Sequence, residues 1–216
     1  MTSATADVIP AMPAPAGATF AARYPSELEV DALAADGTVV RIRPIRPDDA
    51  LALVEFHGRL SPETVYLRFF SAHPRLSPRE VTRFTVVDYL DRLALVVEAD
   101  NTLVAIGRYD ATGRDGEAEV AFVVADLYHH LGLGTLLLEH LADAARTRGI
   151  RSFVADTLAQ NGPMLQMFRA AGFRVACHHD DLDLVRVTFP IEATDELVKA
   201  VGLRRHTAEQ RFIDRL

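Results

Sequence analysis

An α/β domain, with helices flanking a mixed and mostly antiparallel sheet, is the fold class this sequence predicts. Three observations carry it. Alternating strand segments follow one another through RLALVVEAD, TLVAIGRYDAT and AEVAFVVAD, a meander. A glycine-punctuated loop at 129–134 then feeds a helix. A second strand and helix, SFVADTL and NGPMLQMFRAAG, follow before a closing hairpin, the alternation expected of a layered α/β sheet.

Taken in order, residues 1–24 are rich in Ala, Pro, Ser and Thr and read as a disordered arm. The domain proper is expected over 25–190. A strand at Glu27–Leu33 turns at Asp36-Gly37 into TVVRIRPI. Pro47 with Asp48 and Asp49 opens a helix, because proline suits a first turn and acids suit its positive end. Ser61-Pro62-Glu63 opens a second through TVYLRFFS, and Ser77-Pro78-Arg79-Glu80 is a capping box that opens a third. Asp100-Asn101 separates the first two meander strands, and a glycine-containing turn at 113–116 leads into the third. The following helix, about Gly134 to Arg148, places Leu136, Leu137, Leu141 and Ala145 on one side. Gly149 stands where a helix-ending residue belongs, with Arg146 and Arg148 in the last turn. FRVACHH and LDLVRVTFP read as a hairpin around Asp180-Asp181. Residues 191–216 read as a charged helical tail, suited to link a further module.

Composition bounds the function. The 216 residues suffice for one domain with tails, and 49% apolar with 25% charged residues is ordinary for a globular protein. A net charge of −7 argues against a nucleic-acid partner and suits a protein or cationic amine. One cysteine, Cys177, excludes an internal disulfide and fits a reducing compartment. The N-terminus lacks the basic and apolar regions of a secretory signal, and no apolar run approaches about 18 residues. A cytoplasmic protein without a membrane partner is expected.

The chemistry concentrates in 117–173. A loop with Gly132 and Gly134 before a helix presents unpaired N–H groups and the positive end of the helix dipole, an anion site. It is neither a Walker loop, since no Gly-Lys-Ser/Thr follows, nor a dinucleotide fingerprint, since the glycine spacing differs. His129 and His130 are either phosphate contacts or exposed loop. Glu119, on the strand entering the loop, is either a proton acceptor or the solvated face of that strand, and Glu117 shares its parity. Cys177-His178-His179-Asp180-Asp181 is not expected to bind a metal, because successive side chains on a hairpin point to opposite faces. Tyr66, Phe69 and Phe70 read as core, with Tyr66 and Arg68 as candidates for the edge of an acceptor cleft.

Residues 38–190 resemble the GNAT superfamily of acyl-CoA N-acyltransferases, whose signature is Gln/Arg-x-x-Gly-x-Gly/Ala. Gly132 and Gly134 match it and His129 departs from its first position. Asn161, ahead of Phe168 and Gly172-Phe173, is similar to the family's second motif, with Phe168 where a tyrosine is usual. SPETVYLRFF, SPREVTRF, AEVAFVV and FVADTL resemble the bacterial Pat-type protein lysine acetyltransferases. The resemblance implies acetyl-CoA as co-substrate, no metal, and an AMP-forming acyl-CoA synthetase as acceptor protein. It implies Glu119 as general base, and Phe122, Val123 and Val124 as main-chain holders of the pantetheine arm. For the CoA end it implies the loop His129, His130, Leu131, Gly132, Leu133, Gly134 and Thr135, together with Asn161 and Phe168. Two alternatives remain open at this point: a small-amine N-acetyltransferase, and a non-catalytic acetyl-CoA sensor.

Overall fold

Eight strands form one sheet in the computed structural model, which describes residues 23–170, 176–179 and 184–191. The strands are β1 (Val30–Leu33), β2 (Val39–Pro44), β3 (Arg92–Ala99), β4 (Thr102–Ala111), β5 (Glu117–Val124), β6 (Ser152–Leu158), β7 (Ala176–His179) and β8 (Leu184–Pro190). Their order is β1-β2-β3-β4-β5-β6-β8-β7, and β5 with β6 is the single parallel pair among them. The helices are α1 (Ala50–Gly58), α2 (Pro62–Phe69), α3 (Pro78–Thr85), α4 (Leu133–Thr147) and α5 (Gly162–Ala170). Among the described residues no helix is long and apolar enough to cross a membrane. The readings for the arm up to residue 22, the tail from 192 and the Asp180-Asp181 tip lie outside the described residues.

Local chemistry explains the punctuation. Asp100 and Asn101 take φ of 48° and 59°, the two positive values a tight turn matched to strand twist demands. Ser77 accepts from the Glu80 amide while Glu80 accepts from the Ser77 amide, so α3 begins on a complete capping box. Gly149, at φ 81°, ends the α4 segment, with its N–H on the Arg146 carbonyl and that of Ile150 on the Ala145 carbonyl. The first strand starts later than expected. Ser26–Leu28 closes a 3-10 turn after Pro25, so pairing with β2 begins only at Val30. Tyr24, assigned above to the arm, packs edge-on against Tyr89 with the Arg46 guanidinium over its ring.

Strand alternation divides the core between two faces. Gly107, Phe122 and Leu137 meet on one, where α4 covers the sheet and Tyr109, Phe153, Phe168 and Phe189 are fully buried. In α4 the buried stripe is Leu133, Leu137, Leu138, Leu141 and Ala145, with Leu136 only partly covered. The other face carries Ile106, Arg108, Ala121 and Val123 and is covered by Leu53 and Phe56 of α1, Phe69 of α2 and Phe84 of α3. That second face also holds the charged side chains on which the site depends.

Candidate active site

The site begins where two strands part. β5 pairs with β6 only from Glu117 to Glu119, whereas its ladder with β4 continues to Val124. An antiparallel ladder uses alternate residues, and the Ala125 N–H donates to Val104 of β4. The same alternation turns Val123 toward β4, and Phe122 and Val124 toward the gap that β6 has left. The sequence reading treated all three as equivalent; the register makes Phe122 and Val124 the residues whose main-chain N–H groups face the open edge. An extended ligand can add there as a strand.

Beyond β5, the chain passes a 3-10 turn at Asp126–Tyr128 and reaches the loop before α4. His130 and Gly132 both take left-handed conformations, φ 63° and 77°, and Gly132 stands at the N-cap without a capping side chain. The first-turn N–H groups of Leu133, Gly134 and Thr135 therefore face the cleft, in an array suited to phosphate oxygens. The two glycines serve different ends. Gly132 supplies the positive φ, while a side chain at Gly134 would collide with the Met167 sulfur at 2.7 Å. The imidazole of His129 hydrogen-bonds to the Val124 carbonyl (Nε2 to O, 2.9 Å), bracing the loop against β5.

These elements enclose a cleft of about 560 Å³. Of the residues implied above to hold CoA, Phe122, Val123, Val124, His129, His130, Gly132, Leu133, Gly134, Thr135 and Asn161 line it. Leu131 does not, and its carbonyl instead accepts from the Ala35 amide. Phe168 is also absent from the wall. Its ring is fully buried against Phe122 and Phe189, so the structure places it in the core rather than at a ligand. Asn161 accepts from the Met164 amide and caps α5 as well as facing the cleft.

The far wall is α2, fixed by a clamp that no local pattern announced. Asp126 accepts from the Ser61 amide (2.9 Å), the Ser61 hydroxyl (2.5 Å) and the Thr64 hydroxyl (2.8 Å), 62 to 65 residues away in sequence. Burial raises its pKa, but these hydrogen bonds outweigh that and hold the carboxyl at about 2. Seated this way, α2 presents Glu63, Thr64, Leu67, Arg68 and Phe70 to the cleft. Of the two residues expected at the edge of an acceptor cleft, Arg68 lines this cleft and Tyr66 is exposed outside it.

Glu119 lies beside the cleft on the charged face, opposite Asp110 of β4 and Val154 of β6. Its side chain is solvent-accessible, yet the protein crowded around it raises its pKa first, Asp156 and Asp110 raise it further, and Arg68 and Arg186 pull the other way. Glu117, the rival by parity, is engaged with Thr112 and Arg114. Glu119 has no hydrogen bond or ion pair among the described residues. Asp156 and Arg186, which the sequence reading missed, shape this environment as a bidentate pair at 2.6–2.7 Å. Parity along FVADTL would have found Asp156, two positions from Val154 on the same face. Arg186 comes from a strand whose partner is not evident locally. Among the described residues no three His, Cys, Asp or Glu side chains form a metal-ligating group.

Comparison with known proteins places this geometry. Residues 61–173 match the acetyltransferase (GNAT) family. An acetyltransferase of Pseudomonas aeruginosa is 37% identical over 142 residues, 64% of this chain and 76% of that protein. The acetyltransferase Pat of Mycolicibacterium smegmatis is 29% identical over 158 residues, and the chain spans 46% of its length. Among solved structures, the GNAT domain of S. lividans PAT is 41% identical with a TM-score of 0.74, covering 78% of this chain and 99% of that one. The Salmonella typhimurium protein yncA, solved with acetyl-CoA, shares the fold at 18% identity and a TM-score of 0.59, over 72% of this chain and 96% of its own.

Proposed function

The chain belongs to the acetyltransferase (GNAT) family, and we propose that it transfers acetyl from acetyl-CoA to a lysine ε-amine of a protein, an AMP-forming acyl-CoA synthetase. The carrying observation is Glu119: a carboxylate with a raised pKa and no partner among the described residues, beside the open edge of β5. The surrounding residues fit the co-substrate. The uncapped start of α4 suits the pyrophosphate, and the free main-chain edge at Phe122 and Val124 suits the pantetheine arm. Acetyl-CoA supplies the activated acyl group.

The chain's residues then have defined tasks. A lysine ammonium, with a pKa of about 10.4, must lose a proton before it can attack. Glu119 accepts that proton, and its raised pKa brings it nearer the operating pH than an ordinary carboxylate. As the C–N bond forms and the C–S bond breaks, the N–H groups on the β5 edge stabilise negative charge on the carbonyl oxygen. The second proton that the nitrogen sheds as the amide forms is returned to solvent. Phe168 carries no hydroxyl and is buried, so the departing thiolate takes its proton from solvent. A thiol pKa of about 8.5 makes that step easy.

The protein acceptor is supported by the likeness to two Pat proteins and by the net charge of −7, which favours the approach of a cationic lysine side chain. Incubation with labelled acetyl-CoA and a purified acyl-CoA synthetase tests it. Label on a synthetase lysine, located by mass spectrometry, is expected. Label only on added small amines, or binding with no transfer, would contradict it.

A further inference from the structure

The face of the sheet that carries Glu119 is crowded with charge, and nearly all of it is paired. Arg92 and Arg108 both donate to Asp110, at 2.9 Å each, and Arg83 approaches it at 3.9 Å. Arg186 closes on Asp156. Of the groups that face Glu119, Asp110 and Arg108 come from β4, Asp156 from β6, Arg186 from β8 and Arg68 from α2. Only Glu119 and Arg68 among these lack a hydrogen bond or ion pair among the described residues.

Arg68 is an uncommon place to leave a cation unpaired. It sits partly buried in the last turn of α2, in the wall shared by the large cleft and a small apolar cavity of about 40 Å³ behind it. The lining of that cavity includes Phe69, Phe84, Ala121 and Val123. The guanidinium lies over the Phe69 ring at 5.1 Å, and among the described residues no carboxylate offsets its loss of hydration by direct contact. A helix clamped at its other end by Asp126 holds it there. Arg68 lines the cleft together with Ala121 and Asp156, which lie next to Glu119 on the same sheet face, and each of Arg68 and Glu119 acts on the other through charge, yet the two form no ion pair.

We propose that Arg68 is a positioning residue for the transfer reaction: its unpaired charge keeps Glu119 ionised and disfavours the ammonium form of an amine entering beside it. Both effects act in the same direction. Asp156 and Asp110 push Glu119 toward its protonated form, which cannot accept a proton, and Arg68 opposes them. A like charge near the incoming amine lowers that amine's proton affinity, so more of it arrives as the neutral nucleophile. An ion pair would have spent the charge on Glu119 and blocked the carboxylate; a separated cation leaves both groups usable. This assignment rests on the reading of Glu119 as base.

The test follows the titration of Glu119 by NMR in protein carrying ¹³C-labelled glutamate carboxyls, with the resonance assigned by its loss in Glu119→Gln. Arg68→Gln should raise the Glu119 pKa by about one unit. The acid limb of kcat/KM against pH, measured with acetyl-CoA and an acyl-CoA synthetase, should move up with it. Arg68→Lys keeps the charge and should leave both near wild type. An unmoved Glu119 titration in Arg68→Gln, or a moved titration with an unmoved pH profile, would overturn the assignment. So would a shift of the same size in Arg68→Lys, which also decides the matter should Arg68→Gln fail to fold. If Glu119→Gln itself transfers at the wild-type rate, the reading of the base falls, and that result is distinct from a failure of Arg68 alone.

Discussion

Glu119 and Asp126 are two carboxylates within eight positions of one another, and their surroundings drive them apart. Glu119 is solvent-accessible but crowded by protein, has acidic neighbours and lacks a donor among the described residues, so its proton affinity rises. Asp126 takes three hydrogen bonds from the start of α2, so its affinity falls to about 2. Asp126 is structural in consequence. A carboxyl held below its unfolded value contributes stability that is present above about pH 3.9 and is lost as pH falls toward 2. Asp126→Ala should lower stability by about 1–2 kcal/mol at pH 7, with the difference from wild type shrinking as pH falls toward 2. Denaturant melts at pH 7 and pH 3 check both the size and the sign. Ser61 was legible as a cap from the sequence. Its tertiary partner was not, because nothing near Asp126 in sequence points to a helix 62–65 residues earlier.

At the scale of elements, the proposed site is built on a strand that loses its neighbour and a helix that begins without a cap. The glycine loop and the strand entering it could be read directly, since left-handed turns and helix starts have local signatures. The parting of β5 from β6 after Glu119 could not be, because it is a property of two strands separated by all of α4. That parting is what distinguishes Phe122 and Val124 from Val123. Motif position misdirected the reading of Phe168, whose ring belongs to an aromatic cluster with Phe122 and Phe189. Gly132, at φ 77° with open space around its Cα, should tolerate a side chain sterically but not conformationally. Gly132→Val is predicted to weaken acetyl-CoA binding about tenfold, roughly 1.4 kcal/mol, read by calorimetry. Unchanged affinity would remove this loop from the CoA site.

At the scale of the molecule, the sheet places two unlike surfaces back to back. The α4 side is an aromatic and aliphatic core that holds β4, β5 and β6 in register. The opposite side carries the paired charges and, between them, Glu119 and Arg68, which are unpaired among the described residues. The fold class was legible because strand alternation and helix caps are written locally; the charge arrangement was not, since Asp110, Asp156, Arg186 and Arg68 converge from four elements. The chain corresponds to nearly the whole of the S. lividans PAT GNAT domain but under half the length of the M. smegmatis Pat protein. The proposed chemistry draws on groups of the described domain alone. The most direct measurement of that claim compares wild type with Glu119→Gln for acetyl-CoA affinity and for acetyl transfer to an acyl-CoA synthetase. Transfer should fall by about 100-fold or more while the Kd for acetyl-CoA stays unchanged, and transfer at the wild-type rate in Glu119→Gln would contradict it.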